Sequence, residues 1–298
     1  VSVTFSQTLL KEVLMDYLNT FREMVSLRGL TDHTIKSYST YISAYLSFLE
    51  KAGIPPEDAS WDIMRDFVVS IQKERSLSDR TVNGIISQLR FFTLYILHKP
   101  WDPYQLPMRR FDSYLPFVPT QEEVRTFISA FTDLKQKAML VLMYSAGLRV
   151  GEVCSLRYDD VSRSQMRIHV IHGKNRSDRY AILSPTALDI LTQYWFACGR
   201  PTGYLFPKQN GQDRPIDTFF ISRHIAAMEE KLGWPHRFTC HSLRHAFGTH
   251  LYENGVDLPT IKELLGHKSM SSTLVYIHTA ANGTRSVTSP LDAMGGLL

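Results

Sequence analysis

Apolar positions in the first hundred residues recur at three- and four-residue steps. Leu9, Val13, Leu14, Tyr17, Leu18 and Phe21 line one face of a first helix, which Gly29 ends. Thr31 offers an N-cap to a second helix carrying Ile35, Tyr38, Ile42, Tyr45, Leu46 and Leu49, with Gly53 and Pro55-Pro56 as its stop. Two more are predicted over 61–72 and 78–97, the last burying Val82, Ile85, Ile86, Leu89 and Phe92. A bundle of about four helices is the simplest way to bury these stripes together.

The period fails over 99–119, where Pro100, Pro103, Pro107, Pro116 and Pro119 flank Arg109-Arg110. Proline removes backbone donors and disfavours helix in the residue before it, so this stretch reads as an extended, flexible basic connector. Thr120 followed by Glu122-Glu123 is a helix-start signature and opens a second domain. Helices are predicted over 120–131 and 134–146, then short strands over 165–171 and 179–183 joined by a polar turn. Helices resume near 184–197, 216–232, 239–254, 258–265 and 271–278. The expected fold is mainly α with two domains: a helical bundle over 1–100, a linker over 101–118, a helical domain with a small β-hairpin over 119–280, and a tail over 281–298.

Composition agrees with this picture. A chain of 298 residues with 44% hydrophobic and 21% charged residues is long enough for two cores and excludes a disordered protein. No apolar run reaches the roughly 20 residues that span a bilayer, and the first residues lack the basic region and cleavage site of a signal peptide. The chain begins at Val1, so residues upstream of it are expected. Cys154, Cys198 and Cys240 are odd in number and widely spaced; they read as buried, reduced thiols of a cytosolic protein rather than a disulfide framework or metal knuckle. A net charge of +4 is compatible with a polyanionic partner.

The chemistry concentrates between Cys240 and His278. His241, Arg244, His245 and Gly248 share one helical face, where an imidazole and a guanidinium fork beside a bare glycine can admit a phosphate. Taken alone, that face reads first as a solvated basic stripe. A zinc site on His241 and His245 is disfavoured, because Ser242 stands where the metalloprotease motif needs Glu, and adjacent ligands on one helix point apart. Asp257 caps a short helix that Gly266 ends, fixing His267 just beyond it; a cap at Ser271 then starts a last helix carrying Tyr276. Upstream, Arg149 follows an apolar helix, with Glu152 three residues on to brace it. The turn between the strands offers Lys174. Two arginines, a lysine and two histidines thus bracket one tyrosine. Phosphoryl transfer needs its transition-state charge neutralised, and cationic side chains can fill that role. A phenol of pKa about 10 becomes nucleophilic where such a site favours its phenolate.

The stretches AGLRVGEVCSLRYDDV, HGKNRSDRYAILS and HSLRHAFGTHLYENGVDLPTIKELLGHKSMSSTLVYIH closely resemble the three signature regions of the tyrosine recombinases, the phage-integrase family. LTDHTIKSYSTYISAYLSFLEKAG is similar to that family's core-binding domain. The resemblance implies Arg149 and Arg244 as the arginines that grip the scissile phosphate, and Glu152 as support for the first. It implies Lys174 as the acid for the leaving 5′-oxygen, His241 and His267 as phosphate and proton partners, and Tyr276 as nucleophile. A 3′-phosphotyrosyl intermediate and a Holliday junction would follow, with no metal, cofactor or ATP. The family's hairpin usually reads G-K-G; here Asn175 replaces the second glycine, a residue that tolerates left-handed backbone.

The expected partner is double-stranded DNA, clamped by both domains, with Lys36, Arg80, Arg109, Arg110 and Arg176 as candidate contacts. A homo-tetramer on paired sites, an accessory directionality protein and a cytoplasmic, nucleoid-associated location in a bacterium are expected alongside. The apolar tail, with Val287, Pro290, Leu291, Met294, Leu297 and Leu298, suits docking on a neighbouring protomer. Two rival readings remain: a type IB topoisomerase-like enzyme that relaxes DNA, and a DNA-binding regulator without chemistry.

Overall fold

The computed structural model describes residues 2–112, 114–171, 178–200, 202–208, 213–234 and 237–280, leaving aside the side chains of 2–11, 13 and 33. It divides into two compact units, Val1–Ser113 and Tyr114–Leu298. Within the described residues it is mainly helical, with twelve α-helices and one small sheet.

The first unit holds α1 (Ser2–Leu27), α2 (Asp32–Ala52), α3 (Trp61–Arg75) and α4 (Asp79–Tyr95). Thr31, Ser60 and Ser78 cap α2, α3 and α4, each side-chain oxygen accepting a first-turn N–H. The predicted stripes meet in one core: Phe21 of α1, Ile42, Tyr45 and Leu49 of α2, and Ile85 and Phe92 of α4 are almost wholly buried. The proline-rich stretch is less free than the sequence suggests. Trp101 packs edge-on against Trp61 with ring centroids 5.1 Å apart, and Leu106 is buried in the bundle core. Asn83 of α4 grips the backbone of Arg109 from both sides, its Oδ1 accepting that N–H at 2.7 Å and its Nδ2 donating to that carbonyl at 2.9 Å. Apolar side chains interspersed among the prolines dock this part of the expected linker on the first unit.

The second unit is organised around α6 (Leu134–Ser145), whose Ala138 to Met143 are all buried. A helix apolar on every side belongs at the centre, and α5 (Gln121–Ser129), α8 (Pro185–Ala197), α9 (Thr218–Leu232) and α10 (Cys240–Glu253) all pack on it. The capping box signalled by Thr120 forms: its oxygen accepts the Glu123 N–H at 3.2 Å, and Glu123 accepts the Thr120 N–H at 2.7 Å. Strands β1 (Val161–Ser162), β2 (Arg167–Val170) and β3 (Arg179–Ile182) form an antiparallel sheet in the order β1-β2-β3, with Val170 opposite Arg179. The short helices α7 (Val150–Ser155), α11 (Leu258–Leu265) and α12 (Ser271–Thr279) complete the unit. Ser271 is the first residue of α12 rather than its cap; Met270 occupies the cap position, and Ser269 Oγ accepts the Ser271 N–H at 3.2 Å. Among the described residues no helix is long and apolar enough to cross a membrane.

Candidate active site

Three guanidinium groups converge on one carboxylate. Arg149 stands at the N-cap of α7, and Glu152, three residues on, folds back over it. Glu152 Oε2 accepts the Arg149 backbone N–H at 2.8 Å, and Oε1 accepts its Nη1 at 2.7 Å. From β3, Arg179 adds a two-pronged pair, Nη1 to Oε1 at 2.9 Å and Nη2 to Oε2 at 2.7 Å. Arg244 Nη1 lies 3.8 Å from the same carboxylate. Burial works against the charge on Glu152, but the bonds and charge of Arg179, then of Arg149, outweigh it and hold the carboxyl down at about 2. Three cations against one anion leave the cluster with an excess of positive charge, which suits a phosphate.

Thr239 opens α10 by accepting the Ser242 N–H at 3.0 Å, which sets the helical phase of the HSLRH segment. Its face of His241, Arg244, His245 and Gly248 is not a solvated stripe. Arg244 is only 2% exposed, because the turn after α6, the end of α11 and α12 close over it. Its Nη1 donates to the carbonyl of Gly147 and its Nη2 to that of Leu265. Burial, then the neighbouring Arg149, lower Arg244 to about 9, which still leaves it charged at neutral pH. His241 is exposed, and its ring stands nearly perpendicular to that of His245, with centroids 4.6 Å apart. His245 Nδ1 is buried without a hydrogen-bond partner among the described residues. Burial, followed by the charges of His241 and Arg244, lowers His245 to about 4.

Gly266 ends α11 at φ +62°, and the His267 N–H closes onto the Lys262 carbonyl at 3.0 Å, which fixes His267 just past the helix. Its Nδ1 lies 3.0 Å from Oγ1 of the buried Thr273 on α12. Burial and the nearby Arg244 and Arg149 lower His267 to about 4, so it is a neutral imidazole at neutral pH. The Tyr276 ring lies nearly parallel to it, with centroids 6.2 Å apart, and 6.1 Å from His245. Tyr276 is 1% exposed. This overturns two expectations. The surface beside Gly248 is covered by the Tyr276 ring rather than open to a phosphate. The phenol does not end below its ordinary value either: burial raises Tyr276 to about 12, outweighing the lowering by Arg244 and Arg149.

The structure therefore gathers Arg149, Glu152, His241, Arg244, His267 and Tyr276 in the second unit. A cleft of about 670 Å³ is lined in part by Arg149, Glu152, Arg237 and His241, while Arg244, His267 and Tyr276 are not part of its lining. Lys174, Arg176 and the tail over 281–298 lie outside the described residues. Lys36, Arg80, Arg109 and Arg110 belong to the first unit. Lys36 and Arg110 are exposed; Arg80 lies over the Phe111 ring at 5.2 Å, and Arg109 is paired with Asp79 at 3.2 Å. Sequence reasoning missed Arg179, since a cation at a strand start gives no sign that it turns inward. Among the described residues no group of three or more His, Cys, Asp or Glu side chains could hold a metal, and the three thiols are free.

Comparison with known proteins bears on the family and the fold. Residues 118–282 match the phage integrase family and residues 17–103 match the phage integrase N-terminal SAM-like domain. The chain is 31% identical to a tyrosine recombinase of Pseudothermotoga lettingae, over 86% of this chain and 90% of that protein. It is also 31% identical to the tyrosine recombinase XerA of Pyrococcus horikoshii, over 88% of each chain. The Tn1549 transposon integrase, solved in complex with a circular intermediate DNA, shares the fold at TM-score 0.70 and 18% identity, covering 94% of this chain and 99% of that one. The chain belongs to the phage integrase family and is a tyrosine-type site-specific recombinase.

Proposed function

We propose that this recombinase cuts and rejoins duplex DNA through its own Tyr276, using the residues gathered around Glu152. The observation that carries the reading is the enclosure of one tyrosine ring by His245, His267 and Gly248, with Arg149 and Arg244 close enough to act on its charge. A backbone phosphate brings negative charge to that excess of cations. Arg149 and Arg244 bind its non-bridging oxygens and neutralise the charge that grows there in the transition state. The phenolic oxygen of Tyr276 attacks phosphorus, its bond to phosphorus forms as the bond to the 5′-oxygen breaks, and a 3′-phosphotyrosyl linkage results. With Tyr276 at about 12 the attacking group starts as a phenol, and its proton passes to an imidazole, that of His267, which is neutral at neutral pH, or that of His241. Lys174 supplies a proton to the departing 5′-oxygen. Each step exchanges one phosphodiester for another, so bond energy is retained and a 5′-hydroxyl can reverse the attack without ATP or metal.

The biological complex that follows is a homo-tetramer holding two duplexes and exchanging strands through a Holliday junction. Lys36, Arg80, Arg109, Arg110 and Arg176 contact DNA in it, the tail over 281–298 docks on a neighbouring protomer, and an accessory protein sets direction. Its working location is the nucleoid of a bacterial cytoplasm. The solved complex of the Tn1549 integrase with a circular intermediate DNA supports DNA as the partner. The test is to select a binding site from randomised duplexes, place it on two different molecules and follow strand exchange. Recombinant product and a junction intermediate are expected. Relaxation of supercoils with no exchange would instead indicate a topoisomerase-like enzyme.

A further inference from the structure

Arg179 is no part of the gripping set proposed above, yet it is the most completely bonded cation near it. It opens β3 opposite Val170, and its side chain is 8% exposed. Two of its nitrogens take both oxygens of Glu152, at 2.9 and 2.7 Å. The third, Nε, donates to the Leu264 carbonyl at 2.9 Å. That carbonyl is one of the last of α11, whose unpaired carbonyls and dipole favour a cation. The next one, of Leu265, is taken by Arg244. Gly266 leaves the room this requires, since a Cβ there would stand 2.8 Å from Arg179 Cδ. One planar guanidinium thus joins three elements: β3, the carboxylate on α7 that aims Arg149, and the end of α11 that presents His267.

We infer that Arg179 is a positioning residue for strand cleavage, holding Arg149 and His267 in register by tying Glu152 to the end of α11. The inference rests on the roles proposed for Arg149, His267 and Tyr276. A lysine at 179 keeps the charge but carries its three donors on one nitrogen, which cannot span the separate positions that Nε, Nη1 and Nη2 occupy against the carbonyl and the carboxylate. Loosening the fork lets Arg149 and the imidazole drift independently, and a displacement of about 1 Å in a positioned group can cost on the order of 100-fold in rate.

Arg179→Lys and Arg179→Met, beside the unaltered protein, are compared by single-turnover formation of the covalent adduct on a nicked duplex between pH 3 and 9, a window that opens just above the Glu152 carboxyl of the unaltered protein. Burst amplitude counts active molecules, and gel shift measures binding to a single half-site. Among the described residues the charged groups facing Glu152 are Arg149 from its own helix, Arg179 from β3 and Arg244 from α10; His267, beyond the end of α11, feels Arg244, Arg149, His245 and Arg179. With the fork gone, burial of the carboxylate is less opposed, so the acid limb of the rate profile moves upward. The expected result for Arg179→Lys is a rate per active molecule about 10- to 100-fold lower, at unchanged amplitude and half-site binding. For Arg179→Met the acid limb rises by a pH unit or more, and adding Glu152→Gln removes that limb. A merely structural role would lower amplitude at every pH and leave the rate per active molecule and the limb alone, which would overturn the inference. Should Arg179→Met not fold, Arg179→Lys decides alone: a rate and profile equal to the unaltered protein's overturn it. If the unaltered protein itself forms no adduct, the cleavage reading fails first; adduct formation with an indifferent Arg179→Lys defeats this inference only.

Discussion

The ring of Tyr276 rests directly on Gly248. A Cβ built at position 248 would lie 2.5 Å from Cζ and 2.7 Å from each Cε of that ring, far inside van der Waals contact. The glycine in the middle of α10 is therefore a seat for the ring of Tyr276, the proposed nucleophile, which explains a residue that costs helix stability of about 1 kcal/mol relative to alanine. Gly248→Val is expected to push the ring off its seat and lower adduct formation by about 100-fold, with half-site binding unchanged. Adduct rate and gel shift on the same duplex check it.

Glu152 gives a pH-dependent signature of stability. Its carboxyl sits at about 2 when folded, against an ordinary value of 4.5, so its contribution is fully present above about pH 4.5 and is lost as pH falls toward 2. Glu152→Gln leaves the buried Arg179 and Arg244 without their anion and is expected to cost about 3–5 kcal/mol at pH 7. At pH 3 the gap between the two proteins should narrow by about 2 kcal/mol, because only the unaltered protein loses the carboxylate term. Urea unfolding at the two pH values measures both.

Much of this site is legible in the sequence. The i, i+3, i+4, i+7 face of α10 was readable from spacing, and so were Gly266 as the stop that fixes His267 and Glu152 as the brace of Arg149. What spacing could not carry was burial. Periodicity puts Arg244 and His241 on one face, but only the closure of α11 and α12 over that face makes Arg244 buried and leaves His241 exposed. The same closure, not the count of cations, sets the Tyr276 phenol. Six-residue α7 and two-residue β1 are too short to show a period. Arg179 was missed for a related reason: its partners lie 27 and 85 positions away along the chain.

Lys174 is assigned by resemblance as the acid for the leaving 5′-oxygen, beside Asn175 where the family usually has glycine. An alkoxide needs that proton and a thiolate does not, its conjugate acid being far stronger. Lys174→Ala is expected to cleave an ordinary phosphodiester poorly and a 5′-bridging phosphorothiolate almost normally. Equal defects on both substrates would move the acid role to Arg176.

The cluster of Arg149, Arg179 and Arg244 around a single carboxylate supplies positive charge where a divalent ion would otherwise do so. Cleavage in millimolar EDTA should therefore proceed at the rate seen without it. Loss of adduct on chelation, restored by magnesium, would reject a purely cationic mechanism.

The most direct measurement replaces one atom. Tyr276→Phe keeps the ring that packs between Gly248 and His267 and removes the hydroxyl oxygen. It is compared with the unaltered protein on a nicked suicide duplex, with adduct read on a denaturing gel and half-site affinity by gel shift. The expected result is normal affinity and no adduct at any time. A denaturant-resistant adduct from Tyr276→Phe would show that another residue attacks the phosphate and would contradict the central assignment.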